Sequence, residues 1–522
     1  MKSIQTDYMK VDKKMNLLRG MVDLRLLIVL LFGLTAAVFV GTVVGSGDFK
    51  EAYIYVLLIV GVGVMATMHR SYWMLIPFAM VGDFPAVPLG PVSMKLGEAW
   101  LLVSMVFMVI QAVHRRRLPT LFRMEALPVF LYTGWAFVIY LLNPVGLSSM
   151  GASSGGLRFY VMIGLSLVAI IILMNQTIDQ AKAKKVLVLI LLGAFLGSVW
   201  NIGWVLLFGD ISDGGISTGD GGGFYGWSQQ LVTVPHILVI YLVSRYSVKM
   251  LLHPRNWWAI GLFLVCIVIG FLSGKRSLTM LMLLYPIIGA MMRREWGAVF
   301  LGGCLASLII SGAVMAHGPG FELPKTAQRV LSIIPFISER EWDGDVQASA
   351  SGGFRETLNK YALREIEERP ILGEGLEADF DLLWQLRYDP GEAFEEDDHF
   401  LGLTYKANSN WHNTWLGISA DFGIPAAVIW AMIWVCLIVG CRNAMKGLSV
   451  FDWRYTLLMF ILLWTLGDLL RSWQFGHSAI NIWQVAWRVG VWLAVKQSLQ
   501  NAMEDGEEQP SERNRAEGEL SN

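Results

Sequence analysis

Lys275 and Arg276 form a basic pair between two long apolar runs, in the segment Phe-Leu-Ser-Gly-Lys-Arg-Ser-Leu. The Lys and Arg content of the other short connections places this turn on the outer side of a membrane, where positive charge is normally depleted. An ionisable side chain at a helix end within the bilayer boundary is costly, and it marks a functional site. Arg158, Arg471 and His477 fall at outer helix ends by the same reasoning. We therefore expect a site for an extracytoplasmic ligand around Arg276.

Two further candidates lie in a long polar insertion, 318–411, and at its exit. Arg355 falls in the first turn of a helix predicted within 351–372, which Pro370 ends. A cation in the first turn opposes the helix dipole, which favours a ligand-binding role, although an ordinary solvated arginine explains the position equally well. His412 lies where the chain re-enters the membrane. A lone histidine there is more often interfacial, but several unpaired arginines on the same rim favour a catalytic role.

The composition shows which elements must position these residues. Apolar residues make up 55% of the 522 residues, charged residues only 16%, and there are 21 tryptophans. The mean hydropathy is +0.51. These values exclude an ordinary soluble protein and predict an all-α polytopic membrane protein. The four cysteines lie in or beside apolar runs without metal-ligand spacing, so we expect neither a disulfide framework nor a metal site.

Apolar runs recur along the chain, most of them roughly 16–25 residues long, as spanning helices require. We expect about 12–14 spans, near 26–46, 52–68, 71–83, 98–113, 126–142, 159–175, 186–208, 229–245, 257–273, 278–292, 297–317, 414–440, 455–470 and 482–498. The third run is short and contains Pro77, which indicates a broken or re-entrant helix. The connections alternate between rich and poor in Lys and Arg, which predicts that both termini are cytoplasmic.

Four regions follow from this pattern. Residues 1–317 hold the first eleven helices, 318–411 form one large extracytoplasmic loop, and 412–498 hold the last helices. The tail 499–522 is polar and lacks aromatic residues, which predicts disorder in the cytoplasm. A loop as long as 318–411 is usually functional.

Three segments resemble the motifs of the O-antigen ligase/polymerase family of bacterial membrane glycosyltransferases. Ser-Gly-Lys-Arg-Ser at 273–277 resembles its first arginine segment, and 354–376 resembles its segment of an arginine followed by Pro-x-x-Gly-x-Gly. The segment 412–426 resembles its His-Asn-x9-Gly motif, with Ala426 as a small departure. The three occur in the family's order, and the likeness covers roughly 255–440.

The resemblance implies a GT-C-like membrane enzyme that transfers a glycan from undecaprenyl pyrophosphate to a sugar hydroxyl, without metal or other cofactor. It implies that His412 is the general base and that Arg276 and Arg355 bind the pyrophosphate, because arginine binds phosphate bidentately and stays charged. Further candidates for substrate binding are Arg158, Arg471 and Asn413.

The implied partners are the undecaprenyl-pyrophosphate-linked glycan, an acceptor glycan or glycolipid, membrane lipids and other polysaccharide assembly proteins, but no nucleic acid. The implied location is the bacterial cytoplasmic (inner) membrane. Polymerase and ligase share these motifs, and the large helix count favours a polymerase. A transporter or flippase of the same lipid-linked glycan is the alternative of another class. It would show internal repeats and charges near the midplane of several helices, whereas here the charges cluster at one face.

Three weaker signals favour ordinary loops. Gly373-Glu-Gly375 imitates a dinucleotide fingerprint without the strand and helix around it. The acidic run Glu392–Asp398 lacks calcium-loop spacing, and the glycine-rich stretch Gly214–Gly226 is more typical of a linker than of a lid.

Overall fold

The computed structural model describes residues 71–82, 84, 86–89, 92–116, 118–144, 157–208, 232–273, 276–316, 358–376, 413–472 and 478–504. The chain divides into two compact units, Met1–Tyr72 and Trp73–Asn522, and the elements below belong to the second. The predicted spans 26–46 and 52–68 lie outside the described residues.

The elements follow the apolar runs closely. In chain order they are α1 (Leu75–Val81), β1 (Ala86–Leu89), β2 (Val92–Lys95), α2 (Leu96–Arg115), α3 (Leu127–Leu142), α4 (Leu157–Met174), α5 (Gln180–Phe208), α6 (Thr233–Arg245), α7 (Val248–Leu252), α8 (Trp257–Leu272), α9 (Arg276–Met292), α10 (Trp296–Ala316), α11 (358–368), α12 (Thr414–Met445), α13 (Trp453–Arg471) and α14 (Ser478–Glu504). Short 3-10 turns precede α1, α3 and α8.

Within these ranges, seven helices are long and apolar enough to cross a membrane, and three shorter apolar helices accompany them. The backbone groups of a spanning segment must be satisfied internally, which helices achieve. The protein is an all-α polytopic membrane protein, as predicted, with one small hairpin. The total of 12–14 spans and the GT-C-like arrangement stay predictions.

The short third span departs from a regular crossing. Helix α1 covers only seven residues, and an antiparallel hairpin follows it, with Ala86 paired to Lys95 and Leu89 to Val92. On the packed side, α5 approaches α1 backbone to backbone, and a methyl group on Gly197 would overlap the Gly82 carbonyl. The expectation of a broken helix around Pro77 is therefore met by a short helix that turns back through a hairpin.

The helix directions define two ends of the bundle. Helices α9 and α13 run antiparallel, since Tyr285 packs against Gly467 while Arg293, just after α9, bonds to Tyr455 near the start of α13. Helices α4 and α14 run parallel, since Leu173 packs against Gly490 and, further along both segments, the Ile178 N–H donates to the Ala494 carbonyl at 3.4 Å. The starts of α4, α9, α12 and α14 therefore share one end with the last turn of α13. We call this the motif end, because it carries the starts of α9 and α12.

Candidate functional site

Helix α12 begins with a side-chain cap. Asn413 is buried, and its Oδ1 accepts hydrogen bonds from the backbone N–H groups of Trp415 at 3.1 Å and Leu416 at 3.2 Å. An asparagine at this position satisfies two of the donors that a helix start leaves without helical partners. Asn413 was predicted to bind substrate, and the structure gives it a capping role. His412 precedes it directly in the chain.

The end of α13 is attached to the start of α12. The Thr414 N–H donates to the Ser472 carbonyl at 2.8 Å, and the Trp415 indole N–H donates to the Ser472 hydroxyl at 2.7 Å. Arg471 is the residue before Ser472 and the last of α13. The structure thereby brings two predicted site residues, Asn413 and Arg471, to one place at the motif end.

Helix α12 is kinked at Gly423, about two and a half turns after its start. Gly423 adopts φ 80° and ψ 166°, a left-handed conformation that favours glycine. Pro425, two residues later, has no backbone N–H to donate. In a regular helix the Ala420 and Asp421 carbonyls accept from residues 424 and 425. At the kink the proline offers no proton, and the Ile424 N–H donates at 2.8 Å to Pro370 instead. Two carbonyls of α12 are thus open to partners from elsewhere.

The loop segment 370–376 supplies those partners. The Glu374 N–H donates to the Ala420 carbonyl and the Gly375 N–H to the Asp421 carbonyl, both at 2.8 Å. We call this set of contacts, between 370–376 and 420–424, the loop latch. It joins the second and third sequence motifs through backbone hydrogen bonds, so the segment 370–376 is held against α12.

Two positions in the segment 370–376 require glycine. Gly373 has φ 66° and Gly375 φ 87°, and a Cβ on Gly373 would lie 2.6 Å from the backbone carbon of Asp421. The segment follows α11, whose buried Leu358 and Ala362 recur at helical spacing and which ends before Pro370, as the sequence predicted. Arg355 precedes the described part of this helix.

Side chains from α3 and α4 complete the latch. The Trp135 indole N–H donates to the Phe422 carbonyl at 2.7 Å, and the Tyr160 hydroxyl accepts from the Leu376 N–H at 3.0 Å. The Asn143 amide reaches the Glu374 carbonyl at 3.4 Å. Sequence reasoning missed all three residues, because they lie outside the motif-bearing stretch and aromatic residues at helix ends are typical of any membrane protein.

Arg158 is ion-paired. Its guanidinium lies 3.3 Å from Glu98, both residues are buried, and Glu98 also accepts the Lys95 N–H at 2.8 Å. The pair lies at the starts of α2 and α4. The expectation of unpaired rim arginines is therefore wrong for Arg158, because a carboxylate from another helix offsets the cost of burying its charge.

Arg471 also has an ion-pair partner, so the expectation of unpaired rim arginines is wrong for it as well. Its guanidinium lies 3.9 Å from Asp468, one turn earlier on α13. A closer partner of Asp468 is Arg488 of α14, at 2.8 Å. Sequence reasoning missed Arg488, although an arginine inside an apolar run is itself a signal of function.

Arg276 is the first residue of α9, at the motif end. Within the described ranges, no group of three or more His, Cys, Asp or Glu residues is arranged to hold a metal ion. Several predicted features lie outside the described residues: Arg355, His412, His477, Gly214–Gly226 and Glu392–Asp398.

Comparison with known proteins finds a family model that matches part of the chain. Residues 260–431 match the family described as O-Antigen ligase, and no curated protein matches the chain. The matched stretch contains the start of α9, the loop latch and the start of α12. This match to residues 260–431 confirms that the motifs resemble those of the O-antigen ligase family.

Proposed function

We propose that this protein transfers a glycan from undecaprenyl pyrophosphate to a sugar hydroxyl at the outer face of the cytoplasmic membrane, as a polysaccharide polymerase. The observation that carries the proposal is the convergence at the motif end. The loop latch holds the second motif against the third, and the Thr414–Ser472 contact holds the start of α12 beside Arg471.

The proposed leaving group requires positive charge at the motif end. A lipid pyrophosphate carries about two or three negative charges at the membrane surface, and transfer requires those charges to be stabilised as the glycosidic bond breaks. A guanidinium offers a planar fork of donors and remains charged when partly desolvated. In this proposal Arg276 and Arg355 bind the pyrophosphate, and Arg158 and Arg471 shape the potential around it.

The acceptor hydroxyl must lose a proton as it attacks the sugar carbon. Neutral histidine suits this role near neutral pH, and we assign it to His412, directly before the cap of α12. The donor is already activated by its pyrophosphate, so the transfer needs no nucleotide and no metal. The product is a longer glycan on its lipid carrier, together with undecaprenyl pyrophosphate.

A ligase is the second candidate. The matched family is described as O-Antigen ligase, and a ligase transfers the finished glycan to a separate glycolipid or protein. The donor, the base and the arginines are the same in both reactions. The acceptor alone distinguishes them, and the number of predicted spans favours the polymerase.

The deciding experiment supplies the purified protein in lipid nanodiscs with lipid-linked repeat units alone and resolves the products by size. A ladder of glycan lengths supports the polymerase. Product that appears only after a second glycolipid is added supports the ligase and contradicts the polymerase. If the wild type consumes no lipid-linked donor in either mixture, whereas purified donor is accepted by another transferase, the whole proposal fails.

A further inference from the structure

Arg488 is a fully buried cation inside a membrane-spanning bundle, with 1% of its surface exposed. It lies ten residues into α14, about 15 Å along the helix from its start. An ionised side chain at that depth is expensive and is retained where it has a function. Neither the matched motifs nor the proposed chemistry uses it.

Every side of the Arg488 guanidinium is occupied by protein. Its Nε donates to the Gln484 carbonyl at 2.8 Å, and its Nη1 donates to the Thr465 hydroxyl at 3.3 Å. Its Nη2 lies 2.8 Å from Asp468. The rings of Trp434 and Trp464 each lie 5.8 Å away, as cation–π partners do. Arg488 is therefore held in one position and has no face left for a substrate.

Asp468 connects this fixed cation to the motif end. One carboxylate oxygen binds Arg488 at 2.8 Å, and the other lies 3.9 Å from Arg471. The first distance is that of a strong charge-assisted hydrogen bond, and the second is at the limit of an ion pair. Arg488 is thus the stronger partner of the Asp468 carboxylate, and it keeps Asp468 from moving closer to Arg471.

The position of Arg471 explains why a restraint on Asp468 would affect the proposed site. Its side chain is 27% exposed, whereas that of Arg488 is 1% exposed. The next residue, Ser472, accepts the hydrogen bond from Thr414, two residues after His412. The last turn of α13, which carries Arg471, therefore lies beside the start of α12, where the proposed function puts the pyrophosphate and the base.

We propose that Arg488 and Asp468 are positioning residues, which act through Arg471 on the affinity for the pyrophosphate of the lipid donor. The inference rests on the proposed function for the identity of that ligand. Arg488 holds Asp468 and so limits how far the carboxylate draws Arg471 toward itself, and Arg471 presents its guanidinium to the anion.

The test measures binding of undecaprenyl pyrophosphate, without a glycan, to the full-length protein in nanodiscs. In Arg488→Gln, Asp468 loses its stronger partner and closes on Arg471, so we expect the Kd to rise by about tenfold. In the double variant Asp468→Asn, Arg488→Gln the carboxylate is gone as well, and the Kd should return to within about threefold of the wild type. Binding of undecaprenol, which has no phosphate, should not change.

Helix α13 offers a matched control at its other end. Arg454 and Asp452 form a half-buried pair, at 2.7 Å, far from the motif end. Arg454→Gln should lower the melting temperature as Arg488→Gln does, but leave the Kd for undecaprenyl pyrophosphate unchanged. A purely structural role of Arg488 would give the two variants the same profile.

Equal Kd values for wild type and Arg488→Gln overturn the inference, and so does a double variant that binds as weakly as the single one. Should Arg488→Gln fail to fold, Arg488→Lys decides, because it keeps the charge but cannot hold both Thr465 and Asp468. Its Kd should rise by about threefold; an unchanged Kd overturns the inference. If the wild type binds undecaprenol and undecaprenyl pyrophosphate equally well, the proposed function fails instead.

Discussion

The two ends of α13 each carry an aspartate–arginine pair, and the two pairs have different origins. At the start, Asp452 accepts the Arg454 backbone N–H at 2.7 Å and also binds the Arg454 side chain. That pair is local, because an aspartate at the helix cap and a residue two positions later meet wherever the helix begins. At the far end, Asp468 meets Arg488, which belongs to the next helix.

The comparison distinguishes a charged pair that serves the structure from one that serves the function. Capping explains the first pair entirely, so nothing more is needed to account for it. Secondary structure does not explain the second, since an apolar pair of similar size would fill the same space at no greater cost. We therefore expect substitutions at the motif end to change catalysis more than stability, and substitutions at the opposite end to do the reverse.

The largest effect should come from the proposed base. His412→Ala should lower the rate of transfer by about 10²–10⁴-fold, because the acceptor hydroxyl loses its proton acceptor. Binding of the lipid-linked donor should persist, since the base acts on the acceptor. His253 is the matched control: it lies beyond α7 at the opposite end, where its ring nitrogen accepts the Arg255 N–H at 3.3 Å. Near-normal turnover in His412→Ala, compared with His253→Ala, would mean that the base lies elsewhere.

The two ends of α9 offer the next comparison. Arg276→Lys keeps the charge but loses the planar fork, so transfer should fall by roughly 10–100-fold rather than be rescued. Arg293, beyond the other end, donates to the Val243 and Ser244 carbonyls at 2.6 and 2.8 Å. Arg293→Lys should cost about 1–2 kcal/mol of stability and leave activity per folded molecule unchanged. Initial rates and melting curves measured on both variants test the contrast, and equal activities would contradict it.

A glycine of the loop latch should show a smaller effect on both properties. Gly373→Ala forces a side chain into a left-handed conformation against Asp421, at a cost of about 1–3 kcal/mol. The loop should then become more sensitive to protease, and transfer should fall by about tenfold as the motifs separate. Gly447→Ala is the control, because no atom lies within 4 Å of the added Cβ. If the two variants behave alike, the latch does not position the site.

Chelation of divalent metal ions should not change the rate of transfer. The proposed reaction uses arginine to stabilise the leaving group, so EDTA should leave the wild-type rate unchanged. The measurement compares rates before and after exhaustive chelation. Loss of activity that added Mg²⁺ or Ca²⁺ restores would contradict a metal-independent transfer and direct attention to the acidic run Glu392–Asp398.

Hydropathy and charge were enough to predict the fold class and most helix bounds. The run near 257–273 became α8, Trp257–Leu272, and the run near 297–317 became α10, Trp296–Ala316. These predictions succeed because a spanning segment must be apolar over a length that the bilayer sets. Some helices are longer than predicted: α5 begins at Gln180 rather than 186, α12 ends at Met445 rather than 440, and α14 continues to Glu504 rather than 498. Polar residues at these ends are compatible with a helix but carry no apolar signal, so hydropathy does not detect them.

The motifs were enough to predict the family resemblance and the order of the candidate residues, because residue types and their spacing can be read directly from the sequence. They did not show why Gly373, Gly375 and Gly423 occur where they do. That reason is a set of hydrogen bonds between segments about fifty residues apart, formed where a kink leaves carbonyls open. Nor did they show Trp135, Tyr160 or Arg488, whose partners come from other helices. Such contacts depend on which helices become neighbours, and local propensity carries no information about that choice.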